Sequence, residues 1–153
     1  MFSRSAGYAI EALTHLAAQP SGKLTGAREI AEQAGIPMPF LWKILRNLSQ
    51  KKLVRSFKGV RGGYELARSA ENISMSQVLA ASPDARHSDD CVLGLEQCSD
   101  THPCPLHFSW KGVRSQIDDL LKETTLADLA RNARREKSKG SNPSHSRRPK
   151  SRA

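Results

Sequence analysis

The chain has 153 residues, which is enough for one hydrophobic core or for a small domain with an extension. Its formal net charge is +9, and its three cysteines are an odd number, so a closed disulfide framework cannot use them all. No apolar run reaches the roughly 18 residues of a membrane span. Glu11 and His15 interrupt the apolar pattern at the N-terminus, where a signal peptide would need an unbroken core. We therefore expect a cytoplasmic protein in a reducing compartment, with no membrane partner.

The positive charge is unevenly distributed along the chain. Residues 37–68 carry a net charge of +7, residues 69–133 carry −5, and residues 134–153 carry +7. A basic block inside the folded region, followed by an acidic block, indicates one side that faces a polyanion such as DNA.

The first two predicted elements are helices. Residues 5–18 are predicted to form a helix, because their apolar residues recur at helical spacing on one face. Pro20-Ser21-Gly22 ends this helix. A second, short helix follows, with Thr25 as its predicted cap and Gly35 as its terminator. Its buried residues are Ala27, Ile30, Ala31 and Ala34.

A third helix is predicted to begin at Pro37-Met38-Pro39, because proline is tolerated in a first turn. Its apolar residues form a buried face: Leu41, Ile44, Leu45 and Leu48. Its polar residues form an opposite face at spacings of three and four: Lys43, Arg46, Asn47 and Gln50.

Two strand-like segments, 53–57 and 64–67, flank the glycine-rich stretch 58–63, which predicts a β-hairpin. Helix, turn, helix and hairpin in this order are typical of a winged helix-turn-helix. The third helix is then the recognition helix, and the hairpin tip is a wing whose arginine can enter a minor groove. The predicted DNA-binding residues are Pro37, Pro39, Phe40, Trp42, Lys43, Arg46, Lys58, Arg61 and Gly62. The competing interpretation of each is an ordinary solvated surface, and Trp42 could also be a core or interface residue.

All three cysteines, Cys91, Cys98 and Cys104, lie within fourteen residues, and His107 follows closely. Thiolates and imidazole at loop spacing suit a soft metal or an iron–sulfur cluster. Closely paired ligands, which zinc prefers, are absent, and so is the C-x-x-C of redox enzymes. Three thiolates and an imidazole could hold [2Fe–2S], and three thiolates with an outside ligand could hold [4Fe–4S]. His102 competes with His107 as the fourth ligand.

An enzyme that uses Cys104 as a nucleophile is the competing class of function. No oxyanion-hole motif, phosphate loop or carboxylate pair accompanies it, so we expect no enzymatic activity.

A short helix capped by Ser74 precedes the cysteine loop, and a long helix from Pro105 follows it. Its apolar residues step by four and three, which is the spacing of a helix that packs on a partner helix. We expect this seam to form a dimer interface; its residues are Leu106, Trp110, Val113, Ile117 and Leu120. Thr125 is predicted to cap a final short helix.

The wing segment Gly59–Ala67, the Tyr8–Leu13 segment of the first helix and the cysteine loop before a long helix carry a family resemblance. The chain resembles the Rrf-type winged-helix regulators, the group of IscR- and NsrR-like iron–sulfur cluster regulators, over about residues 2–130. The resemblance implies a homodimer that binds a partly palindromic operator and senses iron–sulfur status, nitric oxide or redox stress. It also implies that Cys91, Cys98, Cys104 and His107 are the ligands, with [2Fe–2S] favoured over [4Fe–4S]. Six residues separate Cys91 from Cys98, where the family has five.

The predicted fold is mainly α with a small β-hairpin wing: a winged helix-turn-helix plus a long dimerisation helix. Residues 1–81 form the DNA-binding domain, 82–104 the cysteine loop, 105–133 the dimerisation helix and a short C-terminal helix, and 134–153 a basic disordered tail. The tail either solubilises the protein or adds non-specific affinity for DNA. The predicted function is a repressor whose binding to a double-stranded DNA operator is controlled by the cluster. The alternatives are a winged-helix regulator whose cysteines bind zinc or act as a thiol redox switch, and an interaction module that does not bind DNA.

Overall fold

The computed structural model describes residues 2–82, 91–95 and 99–138 of the chain. Within these residues the elements, in chain order, are α1 (Arg4–Ala17), α2 (Ala27–Ala34), α3 (Met38–Gln50), β1 (Val54–Phe57), β2 (Gly63–Leu66), a 3-10 turn (Ala70–Asn72), α4 (Met75–Ala80), α5 (His107–Glu123) and α6 (Leu126–Ser138). The predicted mainly helical fold with one hairpin is therefore confirmed.

The three N-terminal helices enclose the core as their apolar periodicity predicts. Leu13 of α1, Ile30 of α2 and Leu41 of α3 are completely buried. All four residues of the predicted apolar face of α3 are buried. At about 25 cal/mol for each Å² of apolar surface, burial of such faces is the main favourable contribution to this packing.

The prediction that Thr25 caps α2 is wrong. Gly26 precedes the helix and makes no side-chain cap. Thr25 is completely buried, and its backbone exchanges two hydrogen bonds of 2.9 and 2.8 Å with Tyr64 of β2. The loop before α2 therefore pairs with the hairpin and fixes its position against α1 and α2.

The hairpin is antiparallel, with Val54 opposite Leu66 and Phe57 opposite Gly63. Val54 is buried against the core, whereas Arg55, Ser56 and Phe57 are exposed. At the other end of the hairpin Gly63 is buried and Tyr64 pairs with Thr25, and the turn of residues 58–62, which we call the wing, projects beyond these contacts.

The C-terminal half returns to the same core. Thr124 accepts a 2.9 Å hydrogen bond from Met75, and Ile73 accepts one of 2.9 Å from Leu126, so the starts of α4 and α6 lie side by side. Leu126 is completely buried in the core cluster. Arg134 donates a 2.8 Å hydrogen bond to the carbonyl of Ala18 at the end of α1. Helix α6 therefore packs on α1. Helix α5 connects α4 to α6 in the chain.

Two predicted caps are confirmed and one helix start is shifted. Ser74 forms a reciprocal capping box with Gln77. The Thr125 hydroxyl accepts a 3.2 Å hydrogen bond from the Asp128 amide, while the Thr125 amide donates to the Asp128 carboxylate at 3.0 Å. Helix α5 begins at His107, two residues after the predicted start, because Cys104, Pro105 and Leu106 form a turn before it. Helix α6 continues to Ser138, so residues 134–138 of the predicted tail lie in it, and residues 139–153 lie outside the described part.

Among the described residues, no helix is long and apolar enough to cross a membrane.

Candidate functional site

Helix α3 presents an exposed basic face, and its opposite face is buried in the core. Lys43, Arg46 and Gln50 are exposed and Asn47 is half-buried, opposite the buried leucine face. Pro37 precedes the helix with an extended backbone, and no acidic residue lies in the first turn. The exposed face of α3 therefore offers two cations, Lys43 and Arg46, to an anion.

Two large aromatic side chains flank this face. Trp42 is 52% exposed, which excludes it from the core of the single chain. Phe40 is 52% exposed and its ring lies 6.1 Å from that of Tyr8 on α1, with an angle of 54° between the rings. Apolar groups beside cations suit a surface that contacts the sugars, bases or thymine methyl groups of DNA.

Glycine geometry shapes the wing. The Gly62 amide donates a 3.0 Å hydrogen bond to the Gly59 carbonyl, and Gly59 has a φ of 103°, which favours glycine. A Cβ atom on Gly62 would lie 2.1 Å from the Phe57 carbonyl oxygen. Lys58 and Arg61 are exposed on this tight turn. The structure thus places the predicted wing cations together at the tip, away from the core.

A basic groove lies at the other end of the hairpin. Its cavity volume is about 620 Å³, and its lining includes Lys51, Lys52, Arg55 and Arg68. Arg55 also forms a 2.8 Å ion pair with Glu65 across the two strands. Lys51 and Lys52 thus lie at the end of α3, and Arg55 lies in β1, apart from the wing tip.

Two of the three cysteines are brought together. Cys91 is buried, Cys104 is half-buried, and the Cys104 thiol hydrogen-bonds to the sulfur of Cys91. The backbone N–H of Leu93 lowers the pKa of the Cys91 thiol most, and those of Leu95 and Gly94 add to the effect. The turn 91–95 is therefore a cradle of N–H donors around one sulfur, as thiolate ligands of iron–sulfur clusters often have. Cys98 lies outside the described residues.

His107 is the first residue of α5 and is 2% exposed. Its amide donates a 3.0 Å hydrogen bond to the Cys104 carbonyl, which fixes the helix start next to the cysteine turn. His102, the competing fourth ligand, is exposed, and its ring contacts the Thr101 hydroxyl at 3.2 Å. Burial beside Cys104 therefore favours His107 over His102 as a ligand.

Sequence reasoning missed two charged residues next to His107. Asp100 accepts a 2.6 Å hydrogen bond from Nε2 of the His107 ring, and Lys111 donates to both oxygens of Asp100 at 2.9 and 2.8 Å. The Lys111 ammonium lowers the pKa of the Asp100 carboxyl, and His107 adds to the effect. The sequence could have indicated that His107 and Lys111 are neighbours, because they are one helical turn apart. Nothing in the sequence indicated that Asp100, in the loop, would contact them both.

The donor set is compatible with an iron–sulfur cluster. Within residues 91–95 and 99–138, no group of three or more metal-binding side chains converges. Cys98, which is also a predicted ligand, lies outside these residues. The N–H cradle around Cys91, the contact of two thiols and a buried imidazole fit iron ligation chemically. Apolar side chains of the same turn are 44–56% exposed beside the sulfur: Val92, Leu93 and Leu95.

The predicted dimer seam is an exposed apolar stripe on α5. Leu106 is 41%, Val113 46% and Leu120 62% exposed, while Trp110 and Ile117 are half-buried. Exposed apolar residues arranged in one stripe are compatible with an interaction surface, so the dimer seam stays a prediction.

The three N-terminal helices, the wing and the basic face of α3 define a winged-helix protein. A model of the Rrf2 family, described as iron-dependent transcriptional regulators, matches residues 2–132, so the chain belongs to this family of DNA-binding regulators, which are not enzymes.

Relatives agree with this assignment. A putative HTH-type transcriptional regulator of Aquifex aeolicus is 37% identical over 131 residues, or 84% of this chain and 90% of the relative. The regulator IscR of Erwinia tasmaniensis is 30% identical over 125 residues, or 82% and 75% of the two chains.

Solved structures show the same fold. IscR of T. potens superposes with a TM-score of 0.70 at 25% identity and covers 93% of both chains. The global cysteine regulator CymR of B. subtilis superposes with a TM-score of 0.72 at 24% identity, covering 86% of this chain and 97% of its own.

Proposed function

We propose that this protein is a homodimeric repressor whose affinity for its operator depends on an iron–sulfur cluster held by Cys91, Cys98, Cys104 and His107. The observation that carries the proposal is the contact of the Cys91 and Cys104 sulfurs, with Cys104 in the turn that precedes His107, the first residue of α5. Three thiolates and one imidazole favour [2Fe–2S] over [4Fe–4S]. When bound, the cluster supplies an iron centre that reacts with oxidants and nitric oxide.

The residues of the chain connect this site to DNA. Ligation by Cys91, Cys98 and Cys104 on one side and His107 on the other ties the loop to the first turn of α5. Helix α5 carries the apolar stripe that we assign to the dimer interface, so a change at His107 alters the spacing of the two recognition helices. A coupling free energy of about 1–3 kcal/mol would change operator affinity roughly 5–150-fold.

DNA contact is assigned to the basic face of α3 and to the wing. Lys43 and Arg46 would reach base edges or phosphates in the major groove, between Phe40 and Trp42. Lys58 and Arg61 would contact the adjacent minor groove and backbone. Pro37, Pro39 and Gly62 shape the backbone that carries these side chains.

Anaerobic purification of the full chain tests the cluster. We expect a coloured protein with visible absorbance and with iron and sulfide in stoichiometric amounts, and loss of the colour in Cys98→Ala and His107→Ala. A colourless wild-type protein that contains zinc, or no metal, contradicts the proposal.

DNA binding is tested by titrating the wild-type protein with DNA from its own promoter at several salt concentrations. Replacing Lys58 and Arg61 by alanine should weaken binding and lower the salt slope by roughly 0.9 for each phosphate that the variant no longer neutralises. Lys122→Ala removes a cation at the far end of α5 and serves as the control. Equal affinities for the wing variant and the control would contradict the assignment.

A thiol switch is the second candidate, favoured by the Cys91–Cys104 contact. A peroxide would oxidise the two thiols to a disulfide, taking two electrons and two protons and being reduced to water and an alcohol or a second water. A wild-type protein without iron, whose DNA affinity changes on peroxide treatment and recovers with a thiol reductant, would identify this candidate.

A further inference from the structure

The first two turns of α3 carry no oxygen atom on any side chain. They are residues 38–45, and no residue of the whole helix is acidic. The weak acceptor among them, the sulfur of Met38, belongs to a side chain that packs against the core. The side-chain oxygens of α3 all lie at its C-terminal end, on Asn47, Ser49 and Gln50.

Exposure selects the side chains of these two turns that can contact a ligand. The leucine and isoleucine side chains are buried, whereas Lys43 is exposed and Trp42 is 52% exposed. Arg46 is exposed one turn after Trp42, on the same side of the helix. The ring of Phe40 is held near that of Tyr8, with 6.1 Å between the ring centroids. Trp42 lies on the opposite flank, because residues two apart on a helix are separated by about 200°.

The bases of DNA differ in what they offer to such a surface in the major groove. Guanine presents the acceptors O6 and N7, and thymine presents the acceptor O4 and a methyl group. Cytosine and adenine present amino groups, which need an acceptor on the protein. Lysine, arginine and the tryptophan indole are hydrogen-bond donors only. The start of α3 therefore matches guanine and thymine, and it would leave the amino groups of cytosine and adenine without a partner.

The exposed acceptors that precede α3 in the chain lie on another helix. Glu32 and Gln33 are exposed on α2. In a helix-turn-helix, the helix before the recognition helix crosses the DNA backbone and does not enter the groove. These two side chains therefore do not replace the acceptors that the start of α3 lacks.

We propose that the start of α3 recognises guanine and thymine in each operator half-site: Lys43 and Arg46 donate to O6 and N7 of guanine, and Trp42 covers the C5 methyl group of a thymine. The indole fits thymine in two ways, since its ring is apolar and its N–H can donate to O4. This inference rests on the contact between α3 and DNA in the proposed function, and it goes beyond that contact by naming the bases.

Single-group changes in the DNA supply the first test. Binding sites are selected from a random duplex library with the full chain, and each thymine of a selected duplex is replaced in turn by deoxyuridine. This replacement removes the C5 methyl group and keeps the base pairing. At one thymine of each half-site, affinity should fall about fourfold, the factor that corresponds to burial of one methyl group. Equal affinities for the thymine and uracil duplexes at every position overturn the inference, while the selective binding leaves the proposed contact of α3 with DNA standing.

Trp42→Ala identifies the side chain that contacts the methyl group. This variant should bind the thymine duplex more weakly and should no longer distinguish thymine from uracil at that position. Phe57→Ala is the control, because it removes another exposed ring, 46% exposed on β1, and should keep the distinction. A distinction that persists in Trp42→Ala assigns the methyl contact to another residue and overturns the role of Trp42.

The donors are tested with 7-deazaguanine, which has a C–H group in place of the N7 acceptor. At a guanine that Lys43 or Arg46 contacts, affinity should fall about fivefold or more, and the effect should disappear when that side chain is replaced by alanine. Half-sites in which no guanine responds overturn the role of these two donors. A protein that selects no duplex from the library, with its iron retained or removed, contradicts the proposed function together with this inference.

Discussion

Gly62 is the position in the wing where the backbone leaves no room for a side chain. Since a Cβ atom would lie 2.1 Å from the Phe57 carbonyl oxygen, Gly62→Ala must move backbone atoms at the turn. If Arg61 contacts the minor groove as proposed, the displacement would move it away from DNA, so binding should weaken by about 1–3 kcal/mol, the contribution of one well-placed arginine. Fluorescence anisotropy with promoter DNA measures the change in affinity.

A double-mutant cycle tests that physical reason. If Gly62→Ala acts by misplacing Arg61, it should cost little more in an Arg61→Ala background than Arg61→Ala costs alone. Fully additive effects would show that Gly62 acts through another part of the interface.

Lys52 is a position where substitution by glycine is expected to stabilise the fold. It has a φ of 56°, the one positive value at a non-glycine residue in the described part of the chain, and it follows the C-cap of α3. Left-handed backbone costs a residue with a Cβ atom about 1–2 kcal/mol, and glycine avoids that cost at some loss of chain entropy. Lys52→Gly should therefore raise the free energy of unfolding by about 0.5–1 kcal/mol in urea denaturation.

Lys51→Gly is the matched control. It removes the same charge one residue earlier, where φ is −84° and glycine gives no relief. Lys51→Gly should be neutral or destabilising. Stabilisation by both variants would assign the effect to charge instead of backbone conformation.

At the scale of the element, the sequence predicted helices best where one face is apolar. The period of α3 predicted all four of its buried residues, because burial of a regular stripe depends on local spacing. The cap of α2 was predicted wrongly, because Thr25 pairs with Tyr64, a residue far along the chain. Asp100 was missed for the same reason: its partners lie seven and eleven residues away, across the turn that starts α5. The ligand set that includes Cys91, Cys104 and His107 stays a prediction, and the contact of the two cysteines depends on loop geometry that their spacing does not specify.

Helix α6 depends on the hydroxyl of Thr125 at its N-terminus. Thr125→Ala removes the hydrogen bond that the Asp128 amide donates and should destabilise the protein by about 1 kcal/mol, which thermal or urea unfolding can measure. Thr125→Ser keeps the hydroxyl and should retain most of the stability. If serine and alanine destabilise equally, the missing methyl group and not the cap is responsible.

At the scale of the whole molecule, one core unites distant parts of the chain. Helix α6 packs on α1 through Leu126 and is held there by the Arg134–Ala18 hydrogen bond. Helix α5 leaves this core after the cysteine loop and returns at Thr124. In the proposed dimer, a movement of α5 would pass from the cysteine loop to the partner subunit without disrupting the core formed by α1, α3 and α6.

The dimer is predicted to depend on the exposed stripe of α5. Leu120 is 62% exposed in the single chain, so Leu120→Lys should leave the stability of the isolated core nearly unchanged. In a symmetric dimer the substitution removes two buried leucines, each worth about 1.5–3 kcal/mol. The dissociation constant of the dimer should therefore rise by about 100-fold or more, as measured by sedimentation equilibrium.

Ser115→Lys is the control, since it adds the same charge to an exposed position about half a turn away from the seam. Affinity for a palindromic operator should fall in Leu120→Lys, because one recognition helix at a time then contacts DNA, while binding to non-specific DNA per protomer persists. A Leu120→Lys protein that remains dimeric would move the interface to another surface. The exposed apolar residues of the cysteine turn, Val92, Leu93 and Leu95, would then be the next to substitute, because a partner that covered them would couple the cysteine loop to dimerisation directly.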